Sequence, residues 1–182
     1  MAKSREKNYF SGKLKKAVRL LMYRRGRIPG AKEWELKEKI GADFKKVIAQ
    51  LNELLDELGL EVKEIIEPSA NHLDSGENTR FVVTLKDESS IDEAKMIGWR
   101  IDNLAGLAIT ISLIMSKQGK APIEEVENIL AEKFGKWKAM TLLETFTRNA
   151  YVMEEESGLL TLGWRAKAEV DLKKLMKITA KV

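Results

Sequence analysis

The sequence predicts a mainly α chain with small β-hairpins, an α+β fold built as two tandem units. Stretches with apolar residues three and four apart dominate the chain, and the few β-rich stretches are short and come in separated pairs. The order helix, helix, helix, strand, loop, strand then occurs twice. That order is a winged helix, a helix-turn-helix with a hairpin appended. A doubly wound sheet would need strands alternating with helices throughout. Residues 1–10 read as a basic flexible arm, 11–88 as the first winged-helix domain, 89–102 as a connecting helix or linker, and 103–182 as the second domain.

From Gly12 the period is helical, with Leu14, Ala17, Val18, Leu21 and Met22 forming one stripe. Gly26 and Pro29-Gly30 end that helix. Ala31–Ile40 is a short helical segment with Trp34, Leu36 and Ile40 as expected core contacts. Asp43 is placed to N-cap a third helix. Its apolar face is Phe44, Val47, Ile48, Leu51, Leu54, Leu55 and Leu58. Leu60–Glu67 and Thr79–Leu85 are strand candidates, and residues 68–78 would be the wing.

The second unit opens with a connecting helix at Ile91–Ile101, followed by Leu104–Met115, which is apolar nearly all round and therefore buried. It is either wholly internal or covered on one side by a partner. Pro122 sits at the first turn of the next helix, whose core face is Ile123, Val126, Ile129 and Leu130. A third helix from Lys136 turns Trp137, Met140, Leu143 and Phe146 inward. Ala150–Glu154 and Leu159–Gly163 flank a turn. A last helix, Arg165–Thr179, has Ala168, Leu172, Leu175 and either Ile178 or Thr179 as its inner face.

Composition narrows the function. With no cysteine, disulfides, thiolate metal sites and cysteine nucleophiles are excluded. His72 is the only histidine, and it reads as a solvated loop residue rather than a metal ligand. There is no phosphate-cradling glycine loop and no nucleophile with a base partner, so a non-enzymatic protein without cofactor or metal is expected. The start, MAKSREKNYF, lacks the apolar core of a signal peptide, and no apolar run is long enough to span a bilayer, so a cytoplasmic location is expected, with association to the nucleoid left open.

Charge is uneven. Residues 1–27 hold ten Lys/Arg against Glu6 alone, leaving the remaining 155 residues acidic although the whole chain is +4. A basic end on an acidic body fits an anionic partner, most simply double-stranded DNA. Lys13, Lys15, Lys16, Arg19, Arg24, Arg25 and Arg27 are the expected phosphate contacts, and Lys45, Lys46 and Gln50 stand near the start of the third helix, where a helix-turn-helix approaches base edges. That helix carries no arginine to read guanine, so sequence-tolerant binding is expected. The acidic hairpin tip Glu154-Glu155-Glu156 makes the second unit a poor DNA reader. Trp99, at the joint, and Trp164 are expected at a protein interface together with Leu104, Leu107 and Ile111 of the apolar helix.

Three ordered stretches resemble the MAGE homology domain: Leu58–Pro68 with Thr79–Leu85; Gly106–Ile114 with Gly119, Ala121-Pro122 and Glu124-Glu125; and Tyr151-Val152 with Leu160–Glu169. In the last, Gly163-Trp164-Arg165-Ala166 stands where the family has Trp-Gly-Pro-Arg-Ala. MAGE proteins share a tandem winged-helix design with non-SMC elements and with segregation and condensation protein B, together the kite proteins. The resemblance implies a non-enzymatic subunit that forms a homodimer or a heterodimer with a related subunit. It also implies a kleisin-like partner in an SMC-type chromosome-maintenance complex. The alternative is a sequence-specific winged-helix transcription regulator.

Overall fold

The computed structural model describes the chain except Met1, residues 24–27, 68–77, 88–89, Ile97 and 180–182. It is mainly helical with two small antiparallel sheets, and divides into Met1–Glu88 and Ser89–Val182.

The first unit runs α1 (Ala2–Met22), β1 (Ala31–Lys32), α2 (Glu33–Ile40), α3 (Phe44–Asp56), β2 (Leu60–Ile66) and β3 (Thr79–Leu85). Its apolar stripes meet in one core: Ala17, Leu20 and Leu21 of α1, Leu36 and Ile40 of α2, and Phe44, Val47, Ile48, Leu51 and Leu55 of α3. Val62 and Phe81 extend that core onto the sheet, and the Phe81 ring stands edge-on to Phe44 at 5.6 Å. The strand order is β1-β3-β2, with Leu60 opposite Leu85 and Ile66 opposite Thr79. Gly30 enters β1 at φ +80°, where a Cβ would lie 2.2 Å from the Phe81 carbonyl oxygen, so no larger residue fits.

Several expectations are corrected. α1 begins at Ala2, so residues 2–10, expected as a flexible arm, are helical. β1 was not expected; two residues are too few to leave an alternation in sequence. Leu54 and Trp34 are exposed because the core stripe of each helix is complete without them, and Leu58 is exposed in the turn beyond the end of α3. The wing, except Asn78, lies outside the described residues, His72 with it.

The second unit runs α4 (Ile91–Met96), α5 (Ile101–Ser116), β4 (Lys120–Pro122), α6 (Ile123–Phe134), α7 (Lys136–Arg148), β5 (Val152–Glu154), β6 (Leu159–Leu162), α8 (Trp164–Glu169) and α9 (Leu172–Thr179). From α5 to β6 the order repeats that of α1 to β3, a short strand following the first helix included. The sheet order is β4-β6-β5, again with the last hairpin strand in the middle. Leu107, Ile111 and Ile114 of α5, Val126 and Leu130 of α6, and Ala139, Leu142, Leu143 and Phe146 of α7 make the core with Val152 and Leu160. Gly106 lets α7 approach: a Cβ there would press on Leu142 at 2.9 Å.

Here too boundaries move. The connecting helix stops at Met96 and α5 starts at Ile101, inside the span expected to be linker. The single closing helix is two, α8 and α9, separated where Val170 turns extended. No glycine or proline marks that break. Asp171 does, because its carboxylate accepts the Lys174 backbone N–H at 3.0 Å and starts a new first turn.

Candidate functional site

α3 and α7 hold the same place in their units, between the second helix and the hairpin, and each exposes a face. On α3 the buried stripe Phe44, Val47, Ile48, Leu51 and Leu55 leaves Lys45, Lys46, Ala49, Gln50 and Glu53 in solvent. Lys45 reaches Glu64 of β2 at 3.3 Å, while Asn52 accepts the Val62 N–H at 2.7 Å and so joins the helix to the hairpin. Lys46 and Gln50 remain presented outward. On α1, Lys15, Lys16 and Arg19 are exposed on the side away from the core stripe.

Lys13 is not a phosphate contact. The residue is 9% exposed, and its ammonium donates to both Asp43 oxygens at 2.5 and 2.7 Å. That pair fastens α1 to the residue preceding α3. Asp43 therefore does not N-cap with its side chain; the Lys13 hydrogen bond holds its carboxyl below the usual range. Arg24, Arg25 and Arg27 lie outside the described residues.

α7 presents a different surface. Ala139, Leu142, Leu143 and Phe146 form the inward stripe. Trp137 lies five residues before Leu142 and so falls on the opposite side of a 3.6-residue turn. Trp137 is 79% exposed and Met140, one turn on, 54%. Both were expected inward. The signal was present in the spacing: once 139, 142, 143 and 146 are taken as the stripe, Trp137 has no place in it. Lys136, next to Trp137 in sequence, is exposed, as is Lys133 in the last turn of α6, and Glu144 pairs with Arg148 farther along. Lys138 instead turns to α5, 3.0 Å from Asp102 and 3.1 Å from the Asn103 amide oxygen. Hydrogen bonds from Arg100 and Lys138 lower the Asp102 carboxyl to about 2.

The residues expected at a protein interface are mostly inside the second unit. Leu107, Ile111 and Trp164 are buried in its own core, which takes them out of a partner's reach. Leu104 is half-buried. Trp99 is half-buried too, edge-on to Tyr151 at 5.6 Å, and the Arg165 guanidinium lies 4.7 Å above the Tyr151 ring. This group anchors the segment before α5 to the base of the hairpin. Among the described residues no cluster of His, Asp and Glu could hold a metal ion, and no helix is long and apolar enough to cross a membrane.

No protein-family model and no curated protein matches the chain. A chain of the Nse1-Nse3-Nse4 complex has the same fold. The two are 18% identical, with 96% of this chain and 90% of that chain covered at a TM-score of 0.67. The likeness extends across both units and shows a shared fold.

Proposed function

We propose that the chain is a non-enzymatic tandem winged-helix subunit of an SMC-type chromosome-maintenance complex. It dimerises, holds a kleisin-like segment through its second unit, and contacts DNA without sequence preference through the basic residues of its first. The observation that carries this reading is the pair Trp137 and Met140, exposed on the second unit's α7 in a fold shared with a chain of the Nse1-Nse3-Nse4 complex. A tryptophan in solvent beside a methionine is a poor surface for a DNA phosphate and a good anchor for an apolar side chain of a partner. Lys136, its exposed neighbour in sequence, favours a partner segment with acidic flanks.

The test is light scattering of the purified chain, followed by titration with a kleisin-like chain encoded beside it. Complex formation that Trp137→Ala abolishes supports the reading. A strict monomer that captures no such chain sinks it. A second reading, a sequence-specific regulator, draws on the exposed Lys46 and Gln50 of α3. It requires one duplex to be preferred over all others of equal length, and loss of that preference in Gln50→Ala.

A further inference from the structure

Positive charge gathers at the end of this sequence as well as at its start. Residues 164–182 hold Arg165, Lys167, Lys173, Lys174, Lys177 and Lys181 against only Glu169 and Asp171. Both carboxylates are engaged close by. Glu169 accepts from the Tyr151 hydroxyl at 2.5 Å and from Arg165 Nε at 2.5 Å. Asp171 closes the first turn of α9 through the Lys174 backbone N–H. Lys167, Lys173 and Lys177 are exposed, and among the described residues none of them pairs with a carboxylate.

Their arrangement favours a polyanion with regular charge spacing. Lys173 and Lys177 stand one helical turn apart, about 6 Å along the axis. That is roughly the rise of two nucleotides along one DNA strand. Most of the apolar side of α9 is already used: Leu172 and Leu175 pack on the second unit's core, and Ile178 alone of its large apolar residues is exposed. A helix that lies in a bilayer surface needs that side free. Arg165, the one arginine of the segment, is held by Glu169 and over Tyr151, so only lysines are presented. Lysines bind phosphate as point charges and read no base.

We infer that Lys167, Lys173 and Lys177 form a second DNA-backbone contact, carried by the unit whose hairpin tip is acidic. This contact is additional to the first unit's lysines and does not depend on the docking of a protein at Trp137.

The experiment is titration of the full chain with a fluorescent random-sequence duplex over a series of salt concentrations. Lys173→Gln/Lys177→Gln is compared with Lys15→Gln/Lys16→Gln. Removing two phosphate contacts makes the salt slope shallower by about 2 and weakens binding at least about fivefold. That result for the α9 pair upholds the inference, whatever the α1 pair does; if the α1 pair then changes nothing, the first unit's DNA contact fails alone. Wild-type affinity and slope in the α9 variant, with the α1 variant impaired, overturn this inference alone. Binding of the wild-type chain to anionic phosphatidylserine vesicles but to no duplex overturns it as well. Lys167→Gln/Lys173→Gln serves as an independent pair, and thermal melting of each variant confirms the fold.

Discussion

Helices α3 and α7 are each 13 residues long and stand at the same point of the same element order. Their buried stripes are alike, with an aromatic residue at one end: Phe44 at the start of α3, Phe146 near the end of α7. Their outer faces are not alike. α3 shows Lys45, Lys46 and Gln50; α7 shows Trp137 and Met140. The inward stripe is what the fold demands, so it repeats. The outward face is free to differ, and function is read from it.

The largest expected effects test the shared half of that comparison. Phe44→Ala and Phe146→Ala each remove a fully packed ring and should cost about 3–5 kcal/mol, seen as a lower midpoint in urea melts. If one is tolerated and the other is not, the two cores are not equivalent. Gly30→Ala and Gly163→Ala come next, because each added Cβ would sit 2.2 Å from a backbone carbonyl oxygen, Phe81 in one unit and Ala150 in the other. Backbone must shift in both, that of β3 in one and of the turn before β5 in the other, and a destabilisation of about 2 kcal/mol or more is expected in the same melts.

The unlike half is tested by surface changes. Trp137→Ala should weaken a kleisin-like partner by about 2 kcal/mol or more in calorimetry. Its own melting should move by less than about 0.5 kcal/mol, since the ring touches little of the core. The same change at Trp34, also an exposed tryptophan but on α2, should leave that partner's affinity unchanged.

The smallest effect is in acid. The Asp102 carboxyl ionises at about 2 in the folded chain against 3.8 in an ordinary carboxylate. Its contribution is therefore complete above pH 3.8 and is lost as the pH falls towards 2. Asp43, lowered by Lys13, acts in the same direction in the first unit. Acid melts of Asp102→Asn and Asp43→Asn should show a shallower pH dependence than the parent between those values.

What the sequence made legible was periodic and local. Most of the stripes of α1, α3 and α6 and the two hairpins could be read because neighbours three, four or two residues apart decide them, although Met22 and Leu54, expected on those stripes, are exposed. Lys13 was misread by its charge: it stands four residues before Ala17, on the buried stripe, and its partner Asp43 is 30 residues away in sequence. Trp137 was misread for a related reason. Tryptophan is buried more often than not, and that expectation outweighed the angular position its number assigns. Leu107 and Ile111 were credited with a partner because α5 is apolar nearly all round, yet the unit's own helices take up that face. β1 and β4 exist only as partners of strands far along the chain, so no local pattern encodes them.

Those two short strands have a consequence for how the protein avoids its own kind. Each lies at one margin of a sheet, two and three residues long, and β5 at the other margin of the second sheet is also only three. Such lengths offer a foreign strand almost nothing to zip onto. Among the edge strands of the described residues only β2 is long enough to template one, and it carries Glu61, Lys63 and Glu64 along its length, the charges that discourage stacking of copies into fibrils.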